Sequence, residues 1–249
     1  MSQEAGRLRW AVQVEAWSPG HAEFELLLSL LPEAERCACT RFRQAQDRKR
    51  ALVSRLLQRA AAAAALGLRH GGALSVQRTR GNKPYVAGAH RPSHAPNWNY
   101  SVSHEGDYVI LAAEPVCVCG CDVAAPLTVR RAGGAAGKEQ PLAEFFRSFE
   151  KQLTAAEWAS VRAAGEDGAS QEAQFRKFWS LKEAFVKATG EGLGFELGNT
   201  EFAISGGTAH QTSPAHEGVA SLQDQALLCM GQLSLLVPLC PSALLLQPR

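Results

Sequence analysis

The feature that most constrains this chain is an apolar stripe at helical spacing, Phe175, Phe178, Leu181, Phe185 and Ala188. At about 100° per residue these positions share one face, so the segment predicts an amphipathic helix whose aromatic side is committed to a core. Gly190 is a natural C-cap and predicts where the helix stops. Glu183 and Lys187 project from the opposite face, four residues apart and therefore neighbours. On its own, such a pair reads as a solvated ion pair adding a few tenths of a kcal/mol. The alternative is that both side chains face a site, and the rest of the chain decides between the two.

Alternating residues predict strands over Leu8–Trp17, Asn97–His104 and Val116–Val123, and further strands are predicted over Ala73–Arg78, the mostly apolar Tyr108–Glu114 and Phe195–Ile204. Helices are predicted over Ala22–Leu30, from Pro32 onward, over Arg41–Gly67 with its alanine run, and over Leu142–Phe149. Thr154 and Glu157 have capping-box spacing and predict a further helix start. Residues 126–141, rich in Ala, Gly and Arg, suit a linker between two subdomains, 1–125 and 126–249. A loop is predicted over Gly206–Gly218, then two apolar runs, Ala226–Met230 and Gln232–Val237, able to pair as a hairpin; Pro238–Arg249 has no clear period.

The 249 residues are 46% hydrophobic, enough for a sizeable core. A net charge of +2 supplies no global field to recruit nucleic acid or a membrane. No apolar run approaches the ~20 residues of a membrane span, and Arg7, Arg9 and Glu15 interrupt any signal-peptide core. A cytoplasmic protein is expected. Seven cysteines, an odd count, argue against a disulfide framework. Cys117, Cys119 and Cys121 lack zinc-knuckle spacing and read as small buried hydrophobes. If they point into a core, Asp122 faces the other way, and Gly120 leaves room on that face for a ligand or a backbone.

Three features share a chemistry. Asp122 and Glu183 are carboxylates with reasons to face an open site. Arg78, Arg80 and Lys83 sit on one loop with Gly81-Asn82 as its tight turn. Ser103-His104 ends a neighbouring strand. Two carboxylates completed by phosphate oxygens and water are a usual way to hold Mg²⁺. Cations with Mg²⁺ at a diphosphate suit phosphoryl-type transfer. The basic face of the 41–67 helix fits phosphate contact better than DNA binding, because the chain is near neutral and aromatic interleaving is missing.

The ordered blocks Ser101-Val-Ser-His104-Glu-Gly-Asp-Tyr108, Gly120-Cys-Asp122-Val and Phe178-Trp-Ser-Leu-Lys-Glu183-Ala-Phe-Val-Lys187-Ala resemble the signature of the 4′-phosphopantetheinyl transferases. The resemblance is to the larger Sfp type and, through Gly192-Leu-Gly-Phe-Glu-Leu197 and Gln77-Arg-Thr, to its eukaryotic aminoadipate-semialdehyde dehydrogenase branch. It covers roughly Trp10 to Ile204. It implies an α+β pseudo-dimer of two similar halves, each a small antiparallel sheet on a long helix, with the active site at their interface. It also implies Mg²⁺-dependent transfer of phosphopantetheine from coenzyme A to a serine of an apo carrier protein of fatty-acid, polyketide or aminoadipate type, by a monomer that binds neither nucleic acid nor membrane. Carried over by position, Asp122 and Glu183 would hold Mg²⁺, Glu183 would also take the serine proton directly or through a metal-bound water, and Lys187 would meet the diphosphate. Arg78, Thr79, Arg80, Gly81, Asn82, Lys83, Ser101, Val102, Ser103 and His104 would grip coenzyme A.

Four departures from the pattern stand out. The usual Gly-Lys-Pro appears as Asn82-Lys83-Pro84, with Gly81 one place early. Ala124 stands where bacterial members often have a second acid. A basic residue expected near the first long helix falls at Ala38, with Arg36 or Arg41 as substitutes. Beyond about Gly206 the match is poor. The other reading is a non-catalytic module that binds coenzyme A or a nucleotide; the intact Asp122, Glu183 and Lys187 argue against it.

Overall fold

The computed structural model describes residues 6–68, 74–125, 142–205 and 208–212. The linker expected over 126–141, the apolar runs 226–237 and the tail 238–249 lie outside the described residues.

Strand β1 (Leu8–Gln13) leads to helices α1 (His21–Ser29), α2 (Glu33–Thr40) and α3 (Ala45–Leu66). Strands β2 (Ser75–Arg78) and β3 (Pro84–Ala87) follow, then β4 (Asn99–Glu105) and β5 (Tyr108–Glu114). The second half carries α4 (Leu142–Ser148), α5 (Ala155–Ala163), α6 (Gly168–Thr189), two 3-10 turns at Gly192–Gly194 and Leu197–Asn199, and the strands β6 (Phe202–Ser205) and β7 (Thr208–Gln211).

All ladders are antiparallel: a three-stranded sheet in the order β1-β5-β4 and the hairpins β2-β3 and β6-β7. Central β5 is buried along almost its whole length. Its period of two divides the burial. Leu111 and Ala113 pack with Ala61, Ala62 and Ala65 of α3, while Ile110 and Ala112 pack with Cys119, Cys121 and Val123. A strand covered on both faces reads as a continuous apolar run, which explains the sequence of β5.

The strand expected over Val116–Val123 is not formed, and β5 is paired by β4 on one side and by β1 on the other. The segment's backbone bonds to side chains rather than to a ladder. Asn99 accepts from the Cys119 amide at 2.9 Å and donates to the Cys117 carbonyl at 2.7 Å. Its alternation records burial, since Cys117, Cys119 and Cys121 are all buried. Gly206–Gly218 was expected to be a loop and instead contains β7; the β6 end of Phe195–Ile204 is a strand, whereas its first part winds into a 3-10 turn. Strand β3 emerges from what read as loop.

Helices α3 and α6 have 22 residues each and both end on a glycine in the left-handed region, Gly67 and Gly190. The predicted capping box is present: Thr154 Oγ1 accepts from the Glu157 amide and the Glu157 carboxylate accepts from the Thr154 amide. The α6 stripe forms a second core, in which Phe175 stacks on Trp158 and meets Phe145 edge-on. Among the described residues no helix is long and apolar enough to cross a membrane.

Candidate active site

Helix α6 buries Phe175, Phe178, Leu181 and Phe185 and turns Glu183 and Lys187 the other way, into a cleft of about 1120 Å³. The cleft is lined from the opposite side by the β2-β3 turn, with Arg78, Arg80, Gly81, Asn82 and Lys83, and by Ser101, Val102 and His104 of β4. Lys151–Leu153, Trp179 and Phe195–Asn199 line it as well.

The β2-β3 turn is tightly built. The Thr79 carbonyl accepts from the Asn82 amide at 2.9 Å, and the Thr79 hydroxyl accepts from the Lys83 amide at 3.1 Å. Asn82 sits at φ 69°, in the left-handed region, so it takes the conformation that a glycine usually supplies. The early Gly81 is required by close packing instead, since a Cβ there would fall 1.5 Å from the Gly190 carbonyl oxygen. Thr79 does not line the cleft; it closes the turn that presents Arg78 and Arg80.

Lys83 is tied to the backbone. Its ammonium donates to the Cys119 carbonyl at 3.0 Å and to the Ala188 carbonyl at 2.9 Å. Burial lowers its pKa from 10.5 to about 8. The same seam is tight at Gly120, where a Cβ would lie 1.9 Å from the Ala184 carbonyl oxygen; the room kept by Gly120 is filled by the backbone of α6.

Asp122 lies behind the cleft wall, with 9% of its side chain exposed. Its Oδ1 accepts from Ser103 Oγ at 2.7 Å and from Lys187 Nζ at 2.6 Å, and Lys187 Nζ also donates to Ser103 Oγ at 2.8 Å. Lys187, which lines the cleft, therefore pairs with Asp122 behind it. Glu183 makes no hydrogen bond or ion pair among the described residues. Burial raises the Glu183 pKa first and the Asp122 charge second, with Lys187 opposing both. His104 is exposed by surface area, yet enough protein surrounds its ring that desolvation is the largest cause lowering its pKa, ahead of Arg50 and Lys187.

Two carboxylates, one buried behind Lys187 and one unpaired, suit a hard divalent cation that takes its remaining oxygens from water and phosphate. No group of three or more His, Cys, Asp or Glu able to hold a metal occurs among the described residues. The donor set thus fits Mg²⁺ shared with a phosphate ligand and not a closed protein cage.

Arg36 and Arg41 line neither this cleft nor the smaller cavity of about 300 Å³ beside it. Arg41 lies over the Phe42 ring at 5.7 Å. The smaller cavity shares Ser54, Arg78 and His104 with the main one and adds Asp47, Arg50 and Arg55 of α3. Sequence reasoning noted the basic helix but not this face, although 47, 50, 51, 54, 55 and 58 fall on one helical stripe that could have revealed it.

A family model described as "4′-phosphopantetheinyl transferase, N-terminal" matches residues 15–116, and one described as "4′-phosphopantetheinyl transferase superfamily" matches residues 120–227, beyond the Gly206 limit of the motif resemblance. A Xenopus laevis protein named L-aminoadipate-semialdehyde dehydrogenase-phosphopantetheinyl transferase is 36% identical over 200 residues, 80% of this chain and 63% of the relative. The Homo sapiens protein of that name is 34% identical over 200 residues, 80% of this chain and 60% of the relative. A Bacillus subtilis 4′-phosphopantetheinyl transferase is 26% identical over 175 residues, 70% of this chain and 67% of the relative. The aligned part thus spans about three fifths of the length of the two animal relatives.

Proposed function

The chain belongs to the 4′-phosphopantetheinyl transferases, and on that premise we propose that it transfers phosphopantetheine from coenzyme A to a serine of an apo carrier protein. The observation that carries the reading is the convergence of Glu183, Lys187 and the Arg78–Arg80 turn on one cleft, with Asp122 bonded to Lys187.

The serine oxygen attacks the pantetheine-side phosphorus of the diphosphate, a P–O bond forms, the bridging P–O bond breaks, and 3′,5′-ADP leaves. Glu183, which lines the cleft and has no partner among the described residues, receives the serine proton. Lys187 and the Arg78–Arg80 turn balance the charge of the diphosphate and of the leaving group. Asp122 and Glu183 are the residues that would hold Mg²⁺, which when bound neutralises diphosphate charge. Ser101, Val102 and His104 form the β4 side of the coenzyme A path, and Ser103 fixes Asp122 and Lys187 behind it.

In this reading residues 1–125 and 126–249 are two related halves, α3 and α6 are their equivalent helices, and the site lies between them. The lengths of α3 and α6 and their matching glycine caps support it. The chain acts as a cytoplasmic monomer. Its carrier is of the fatty-acid, polyketide or aminoadipate type, the last supported by the relatives' names. The test is incubation with Mg²⁺, coenzyme A and apo carrier proteins: the carrier gains one phosphopantetheine by mass, and Glu183→Gln abolishes the gain while circular dichroism stays unchanged. Coenzyme A binding without transfer to any carrier overturns the reading in favour of a binding module.

A further inference from the structure

We propose that Lys187 is an internal competitor for the cation position on Asp122, so that a divalent cation binds this carboxylate more weakly while the lysine holds it. The inference rests on reading Asp122 and Glu183 as the carboxylates of a cation site. It is carried by the way Asp122 is occupied. Oδ1 already accepts from Ser103 Oγ at 2.7 Å and from Lys187 Nζ at 2.6 Å. The Asp122 side chain is 9% exposed and does not line the cleft, whereas Lys187, 33% exposed, does. Glu183, on the same face of α6 one turn earlier, has no partner among the described residues. The resulting arrangement has one carboxylate neutralised by a lysine and one left open.

A cation and an ammonium drawn to the same carboxylate oppose each other, and each lowers the other's apparent affinity by the same factor. The long, flexible lysine stem lets the ammonium move away, and a diphosphate in the cleft gives it another anion to meet. Cation and anionic substrate would then bind more tightly together than apart. The geometry assigns to Lys187 a second role, that of keeping Asp122 charge-balanced before substrate arrives.

The experiment measures binding of Mn²⁺ alone to the full chain, by electron paramagnetic resonance of free Mn²⁺, with no coenzyme A present. Lys187→Met, and Lys187→Gln as a second variant for folding, should bind Mn²⁺ about tenfold more tightly than wild type, a factor within the usual range of coupling between sites. Lys187→Arg should stay near wild type, because it keeps a cation on Asp122. Adding Asp122→Asn to Lys187→Met should abolish the gain. Arg80→Met, which removes a cleft cation that has no bond to Asp122, should give no such gain; an equal gain there means a general field effect and overturns the proposal. Equal or weaker Mn²⁺ binding by the Lys187 variants, with Asp122→Asn still weakening it, overturns the competition but leaves the two-carboxylate reading standing. No Mn²⁺ binding by wild type or any Lys187 variant at millimolar concentration overturns the competition, and no binding with coenzyme A added overturns the two-carboxylate reading as well.

Discussion

Gly81 and Gly190 meet backbone to backbone, so close that a Cβ on Gly81 would lie 1.5 Å from the Gly190 carbonyl oxygen. The contact ties the β2-β3 turn to the C-terminal cap of α6. Gly120 makes the same kind of contact with the Ala184 carbonyl oxygen, at 1.9 Å. Both obstacles are backbone atoms, which cannot rotate away. Gly81→Ala and Gly120→Ala should therefore each cost about 1–3 kcal/mol of stability, as overpacking does, and should lower transfer more than melting temperature alone explains, because the turn moves relative to Glu183. Gly194→Ala, where a Cβ has no atom within 4 Å, serves as the control and should be close to neutral. Urea unfolding and holo-carrier formation, measured on all three, check this.

Lys83 provides a pH test of the same seam. Its pKa is lowered from 10.5 to about 8, chiefly by burial. Between those two values the unfolded chain holds a proton that the folded chain has released, so stability attributable to Lys83 rises with pH across that window and is flat below it. Lys83→Met removes this dependence. The difference in unfolding free energy, wild type minus variant, should therefore grow in favour of wild type between about pH 8 and about pH 10.5. A difference that is constant or shrinks over the window shows that burial does not desolvate the ammonium.

Ser103 touches both charged partners of the site without lining the cleft. Its hydroxyl donates to Asp122 at 2.7 Å and accepts from Lys187 at 2.8 Å. Hydrogen bonds to charged groups contribute about 1.5–3 kcal/mol, so Ser103→Ala should lower kcat/KM by about tenfold or more. The loss should fall on kcat and not on the coenzyme A KM if the hydroxyl only orients Asp122 and Lys187. Ser103→Thr, which keeps the hydroxyl, should recover most of it. Steady-state kinetics on the two variants separate orientation from binding.

What the sequence made legible was local. The α6 stripe, its Gly190 stop, the capping box at Thr154 and the hairpin of β4 and β5 follow from periodicity and caps that act within a few residues. The strand expected at Val116–Val123 failed because alternate burial looks the same whether the backbone pairs with a strand or, as here, with the Asn99 side chain. Strand β3 was hidden because it is defined by its register with β2, which the Thr79–Lys83 turn sets. The site divides in the same way. That Glu183 and Lys187 share a helix face was readable. That Lys187 would pair with Asp122, 65 residues away, and leave Glu183 open was not. Arg36 and Arg41 were sought near Ala38, whereas α3 turns Arg50, Ser54 and Arg55 toward the cavities because the rotation of a helix, and not nearness in sequence, decides what it presents.

The last test concerns the residue next to Glu183 on the opposite side of the helix. Lys182 and Glu157 form an ion pair at 2.8 Å with both side chains fully buried. Lys182 also donates to the Leu197 carbonyl at 2.8 Å and to the Thr200 carbonyl, and Glu157 accepts from the Phe202 amide at 2.9 Å. One pair thus holds α5, α6 and the 197–202 strap, whose Leu197, Gly198 and Asn199 line the cleft. Lys182→Met leaves the Glu157 charge buried and should cost about 3–5 kcal/mol. Lys182→Met combined with Glu157→Gln should cost less than the single lysine change, because the uncompensated charge is gone. In hydrogen exchange the Phe202 amide should lose protection in Glu157→Gln before the Phe175 core does, since that change weakens its acceptor. If the double variant is as unstable as Lys182→Met alone, packing and not charge accounts for the loss. If Phe202 keeps its protection, Glu157 does not anchor the strap.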